Sequence, residues 1–113
     1  MKNNVQLIGY VGKDPELKNF DNNKQKVVFS LATSEKFKSH DGEYKNDTQW
    51  HYIVAWGKTA GYIHENIKKG NEIAVTGKLQ YNIFENKQGI KQTLAQIVVN
   101  DLVKITKDKD LHF

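Results

Sequence analysis

Two tryptophans and a tyrosine recur at even positions in Trp50-His51-Tyr52-Ile53-Val54-Ala55-Trp56-Gly57-Lys58. Read as a strand, the segment puts Trp50, Tyr52, Val54 and Trp56 on one face and His51, Ile53 and Ala55 on the other. A flat ring presents a π-face to a base, and the Lys58 ammonium just beyond the row presents a charge to a phosphate. A groove for single-stranded nucleic acid needs both. The alternative is that the row is the core face, because Trp and Tyr bury large apolar areas.

Two more aromatics bear on that choice. Phe84 lies on the polar side of its strand with Lys78 and Thr76, beside the Asn86–Gly89 turn. Phe37 sits in a charged stretch, Lys36-Phe37-Lys38, read here as a loop. One exposed aromatic is ordinary. Two on hairpins that flank the Trp strand form a pattern, and the pattern favours a stacking platform of Phe37, Trp50, Tyr52, Trp56 and Phe84, with Lys58 and Lys78 beside it.

Other chemistry has little support. His40, His51, His64 and His112 lack metal-ligand spacing. Asp14 and Glu16 flank a proline in a turn and read as solvated carboxylates. Ser30, Thr33 and Ser34 have no nearby base. Gly9 and Gly12 precede no helix and so form no phosphate loop; they fit barrel bending and close backbone approach. The sequence therefore predicts no catalytic residues, no metal and no cofactor.

The elements that must position these residues follow from periodicity and turn chemistry. A first strand is expected over Asn4–Val11, with Val5, Leu7, Gly9 and Val11 on one face and Gln6, Ile8 and Tyr10 on the other. Pro15 breaks it, a short strand follows at Glu16–Phe20, and Asp21-Asn22-Asn23 turns the chain. Lys26–Glu35 directs Val27, Phe29 and Leu31 inward. Asp41-Gly42 marks a hairpin tip before the Trp strand. Lys58–Lys69 reads as the only helix, with Ala60, Ile63 and Ile67 as its apolar stripe and Gly70 as its left-handed cap. Asn71–Phe84 puts Ile73, Val75, Leu79, Tyr81 and Ile83 on one face. Ile90 to about Ile105 holds the last strand. The order of three strands, a helix and two strands predicts an all-β fold, a five-stranded OB-fold barrel with one helix between strands three and four.

The totals agree with one domain. There are 113 residues, 38% hydrophobic and 27% charged, a globular balance with room for one core. The absence of cysteine excludes disulfides and thiolate chemistry in this sequence. No apolar run approaches the roughly 18–20 residues that cross a bilayer, and no leader pattern opens the sequence, so a cytoplasmic protein without membrane contact is expected. The net charge is +4, and all 17 basic residues are lysines. Lysine is a mobile point charge without arginine's base-reading fork. An all-lysine surface suits phosphate attraction without sequence readout, although a compositional bias towards Asn, Lys and Ile accounts for it equally well.

At this point the residues resemble a known family. Val5-Gln6-Leu7-Ile8-Gly9-Tyr10-Val11-Gly12-Lys13-Asp14-Pro15-Glu16, Ser30-Leu31-Ala32-Thr33-Ser34-Glu35, Thr48-Gln49-Trp50-His51, Trp56-Gly57-Lys58 and Lys68-Lys69-Gly70 are similar, in order and spacing, to the bacterial-type single-stranded DNA-binding proteins. The resemblance covers roughly residues 1–103 and implies a non-enzymatic binder of single-stranded DNA in replication, recombination and repair. A nearby alternative is another OB-fold module, such as a primosome accessory or an RNA binder. The family's stacking aromatics fall on Phe37, Trp50, Trp56 and Phe84, and its basic positions on Lys58 and Lys69. It also implies a homotetramer, assembled through first strands and sheet faces, with Gln6, Ile8, Tyr10 and His51 at the subunit interface. Basic residues common in the family become Asn4, Tyr52, Gln80, Asn82 and Ile83 here, which thins the positive groove. Family members commonly continue into a long tail with an acidic tip ending in Pro-Phe. Here residues 106–113, ending Lys107-Asp108-Lys109-Asp110-Leu111-His112-Phe113, read as a short disordered tail after a domain of residues 1–105, and tail-mediated recruitment of replication and repair proteins is not carried over. The implied location is the cytoplasm, on the nucleoid.

Overall fold

The computed structural model describes residues 2–106, and the expected tail lies outside them apart from Thr106. The chain runs β1 (Val5–Val11), β2 (Glu16–Phe20), a short 3-10 turn, β3 (Lys24–Lys38), β4 (Tyr44–Trp56), α1 (Gly57–Asn66), β5 (Glu72–Glu85) and β6 (Lys91–Ile105). Sheet order is β1-β5-β6-β4-β3-β2, and β1 also pairs with β3. That last pairing closes a barrel of five strands, β1, β3, β4, β5 and β6. The helix falls between the third and fourth of these, and β2 hangs outside as an edge partner of β3.

Closure needs two unusual pairings. β1 reaches β3 only at Tyr10↔Ala32 and Val11↔Leu31, and β4 meets β6 in parallel at Ile53↔Ile97 and Val54↔Val98. At the first of these, the strands come so close that a Cβ on Gly9 would lie 2.1 Å from the Ala32 carbonyl oxygen. Only glycine leaves room for that approach. In β6, Asn100 has no partner between Val99 and Asp101. This bulge shifts the alternation so that Val99 and Leu102 both face the interior.

Alternation fills the core. Val27, Phe29 and Leu31 of β3, Ile53 and Ala55 of β4, Ile73 and Val75 of β5, and Ile97 and Val99 of β6 are buried together. Ala60, Ile63 and Ile67 close one end of the barrel, as the helical spacing predicted. The helix itself is shorter than expected. It ends at Asn66, Ile67 is already extended, and the Ile67 N–H donates to the Ile63 carbonyl at 2.9 Å. Gly70, at φ +87°, therefore shapes the turn into β5 rather than capping the helix, and Lys68 and Lys69 lie in that turn. Burying Ile67 won over prolonging the helix.

Both long hairpins outrun the barrel. The stretch around Phe37, expected as a loop, continues the β3–β4 ladder out to Lys38↔Tyr44, and Gly42 turns the tip at φ +83°. There the Ser39 hydroxyl and the Glu43 backbone N–H both donate to the Asp41 carboxylate. These bonds, the Ser39 one first, hold its carboxyl below the usual range. The β5–β6 hairpin projects likewise. Tyr81 and Ile83, read as sharing a face with Ile73, are exposed, Ile83 at 72%. The strand keeps its alternation, but past Leu79 there is no barrel interior left to fill.

Because Ile63 is fully buried where the helix plugs the barrel, Ile63→Ala should lower the unfolding free energy by about 2–5 kcal/mol, measured by chemical denaturation. A surface change such as Glu65→Ala should stay within about 0.5 kcal/mol.

Candidate nucleic-acid interface

The core face of β4 decides where its aromatics point. With Ile53 and Ala55 buried inside, the even residues must face out. Trp50 is 63% exposed and Trp56 47%, and Tyr52 is exposed between them. The reading of this row as the core face is therefore excluded. Val54, on the same side, is fully buried and forms the floor between the two tryptophans.

Strand register extends this face across the sheet. Lys26 pairs with Trp56, Val28 with Val54, Ser30 with Tyr52 and Ala32 with Trp50. On the far edge Lys18 pairs with Lys26, and Phe20 with Lys24. On the other flank Val54 meets Val98, which pairs with Lys78. Lys78 and Phe84 share the even positions of β5, so the structure brings both to the side of the tryptophan row. Next along these two strands, the Gln96 amide donates to the Gln80 side-chain oxygen at 2.8 Å, a neutral pair.

Phe37 does not join that side. The β3–β4 register is unbroken from Ala32↔Trp50 to Phe37↔Lys45, so Phe37 alternates onto the opposite face of the projecting hairpin, and it is exposed there. A strand stacked on both would have to cross the edge of the arm. Lys58 opens α1 and lines a cleft with Thr59, Tyr62 and Asp101, none of which belongs to the aromatic face. Lys69 is tied in differently. Its backbone N–H donates to the Asp14 carboxylate at 2.8 Å, and the next N–H, of Gly70, donates to the Val11 carbonyl at 2.8 Å. Asp14, expected to be merely solvated, thus pins the Lys69 turn to the β1–β2 turn.

That same β1–β2 turn seats the first tryptophan. A Cβ on Gly12 would fall 2.5 Å and 3.0 Å from two carbons of the Trp50 six-membered ring. Gly12 is not in the left-handed region, so its backbone conformation does not itself require glycine. What excludes a side chain is the indole itself. Trp56 is held by other means. Its ring centroid lies 6.1 Å from that of Phe20, with the planes at 31°, and the Lys26 ammonium stands 5.3 Å from the centroid. Such a contact contributes about 0.5–1 kcal/mol at an exposed site. Sequence reasoning missed Gly12, Phe20, Lys18, Lys24 and Lys26. The even spacing of the lysines is visible in the chain, but only the β2–β3–β4 register shows that they share a face with the tryptophans.

The residues expected at a subunit interface lie elsewhere. Gln6, Ile8 and Tyr10 are exposed on β1. His51 is half-buried, and its Nε2 shares a 2.9 Å hydrogen bond with the Thr33 hydroxyl. Gln6, Ile8, Thr33 and His51 line an open cleft of about 550 Å³. Among the described residues no group of three His, Asp or Glu side chains could hold a metal ion, and no helix is long and apolar enough to cross a membrane.

Comparison with known proteins gives a consistent result. Residues 2–105 match the sequence model of the single-strand binding protein family. Single-stranded DNA-binding protein 1 of Chlorobaculum tepidum is 42% identical over 101 residues, 88% of this chain and 62% of that protein. The single-stranded DNA-binding protein of Neisseria meningitidis serogroup A is 35% identical over 100 residues, 88% of this chain and 58% of that protein. The chain thus spans about three fifths of the length of these relatives. Among solved structures, the Plasmodium falciparum SSB in complex with ssDNA superposes with a TM-score of 0.85 at 27% identity, over 92% of this chain and 95% of that one.

The Gly12 contact makes a direct prediction. In a Trp56→Phe background, where Trp50 is the only tryptophan, Gly12→Ala should shift the emission maximum of Trp50 as the ring is pushed off the turn. The melting temperature should stay within a few degrees, because the ring can yield outward into solvent. An unchanged spectrum would mean that the indole does not rest on Gly12.

Proposed function

The chain belongs to the single-strand binding protein family, and on that premise we propose that it binds single-stranded DNA without reading its sequence, and carries out no catalysis. The carrying observation is that β4 fills the core with one face while standing Trp50, Tyr52 and Trp56 out in solvent on the other. Exposed rings of this size cost solvation unless something stacks on them. Every base has a π-face, so a row of rings is tolerant of sequence. Lys78 and Phe84 extend the row on one flank, Lys69 meets phosphates from the turn that Asp14 ties to the β1–β2 turn, and Lys58 meets them only where the strand leaves the row past Trp56 for the helix. The lysines attract phosphates as point charges and have no fork to fit a guanine edge. Phe37 takes part where the strand crosses to the other face of the β3–β4 arm.

A homotetramer is the second part of the reading. β1 pairs with β5 along Val5–Tyr10 but with β3 only at its end, so most of its other edge has no partner among the described residues. Edges of that kind pair with another strand or invite aggregation. Ile8, Ala74 and Val103 align across β1, β5 and β6, and Ile8 and Val103 are exposed, giving an apolar stripe beside that edge. Gln6, Tyr10 and His51 border it. One barrel covers only about 4–16 nucleotides, so several barrels in one particle suit long strands.

Titration with oligo-dT, followed by tryptophan fluorescence, tests the binding. Strong quenching is expected, and Trp50→Ala and Trp56→Ala should each weaken binding by about 1–3 kcal/mol. Folded variants that bind like the parent protein, or a marked preference for one sequence or for duplex, would refute the platform. Lys78→Ala should flatten the salt dependence by about 0.7 in the log–log slope if it neutralises one phosphate. Light scattering should give four times the subunit mass; His51→Lys, which places a charge at the proposed interface, should shift the population towards smaller species. A monomer at micromolar concentration would overturn the assembly.

A further inference from the structure

The aromatic face does not end at Trp56. Continuing outward across β3, the same side of the sheet carries Lys26, then Lys18, and at the end of β2 the pair Phe20 and Lys24. Phe20 is 46% exposed although it touches Trp56. At 6.1 Å between centroids and 31° between planes, the two rings are too close and too tilted to admit a base between them. They form instead one bent surface with two outward faces. Beside Trp56 an open cleft of about 410 Å³ continues the groove, lined by Asn23, Lys24, Gln25, Trp56 and Gly57. No carboxylate lines this cleft, and lysines 18, 24 and 26 surround the Phe20 end of the face.

We propose that Phe20, with Lys24 and Lys26, forms a further nucleotide subsite, which carries the single strand beyond Trp56 onto the β2 edge. A base stacks on the exposed face of Phe20, and its phosphate is met by the Lys24 and Lys26 ammonium groups. This rests on the single-stranded DNA reading above and adds one nucleotide to it. An exposed ring that merely buttressed Trp56 would need no further cation beside it, yet Lys24 is paired directly with Phe20 at the β2 edge. Lys26 serves both ends, since the ammonium that stands over the Trp56 ring is also within the row that leads to Phe20.

Affinity as a function of oligo-dT length separates the possibilities. In the parent protein, affinity should rise with each nucleotide until the platform is full, within about 16 nucleotides per barrel. In Phe20→Ala the shortest binding oligomers should lose only the small effect of loosening Trp56, and the plateau should come one nucleotide earlier, with a further loss of about 5- to 150-fold confined to the longer ones. Phe20→Tyr, which keeps the ring, should restore the parent curve. Replacing Lys24 alone by Ala should lower the salt slope on long oligomers only, because Lys26 also stands over Trp56. Equal weakening at every length would mean that Phe20 only supports Trp56, and no change at any length would mean that it does nothing; either result overturns the subsite. Photocrosslinking of the unmutated protein to iododeoxyuridine-substituted oligomers gives an independent measure, and crosslinks at Trp50 and Trp56 without any at Phe20 would also overturn it. A parent protein that binds no oligo-dT at all would instead remove the underlying reading, which distinguishes the two failures.

Discussion

The molecule depends on the two-residue repeat of β4. This strand sits between β3 and β6 and takes part in barrel closure through Ile53 and Val54. Burying Ile53 and Ala55 there fixes the phase of the pleat, because a slip of one residue would turn every side chain over. Trp50, Tyr52 and Trp56 are thereby held outward by the energy of the core, not by contacts of their own. A rigid strand with a paid-up interior can keep costly rings in water, which a loop could not do with the same precision of placement.

Exposure alone would leave the rings free to collapse onto the surface. The two tryptophans are restrained by different neighbours. Trp50 lies on Gly12, in the turn that the Asp14–Lys69 bond connects to the end of the helix segment. Trp56 lies against Phe20 and under Lys26. Both restraints come from the β1–β2–β3 side of the sheet, so the short strand β2, which is not one of the strands of the closed barrel and adds only Leu17 to its core, organises one end of the aromatic face. Gly9 acts one step earlier. By letting β1 approach Ala32 it closes the barrel and brings the following turn within reach of Trp50.

Beyond the barrel the logic changes. The outer halves of the β3–β4 and β5–β6 hairpins have no core beneath them, so both faces of each arm meet water. Tyr81, Ile83 and Tyr44 are exposed for that reason, and Phe37 and Phe84 come to lie on faces set by register rather than by burial. Phe84 shares the side of the tryptophan row and Phe37 does not. An extended ligand that used all of these rings would have to wrap the arms, and the groove would then be a path around the subunit rather than a flat strip on it.

Much of this was legible in the chain. Alternation in β1, β3 and β4, the Asp41-Gly42 tip, the Asn86–Gly89 turn and the Ala60, Ile63 and Ile67 stripe are local patterns, and local patterns survive folding when one face is buried. The order of elements was enough to name the barrel, and the types and spacing of Trp50, Tyr52 and Trp56 were enough to name the chemistry. The structure decided what depends on distance in sequence. The end of the helix at Asn66 was set by the burial of Ile67, which overrode a good cap at Gly70. The exposure of Tyr81 and Ile83 was set by how far the barrel reaches, and no strand pattern encodes the length of its neighbours. The side on which Phe37 falls, the seat of Trp50 on Gly12 and the row from Trp56 through Lys26 to Phe20 all follow from pairing between strands. A single sequence carries the period of each strand but not the register between them, and register is what turns separate residues into one surface.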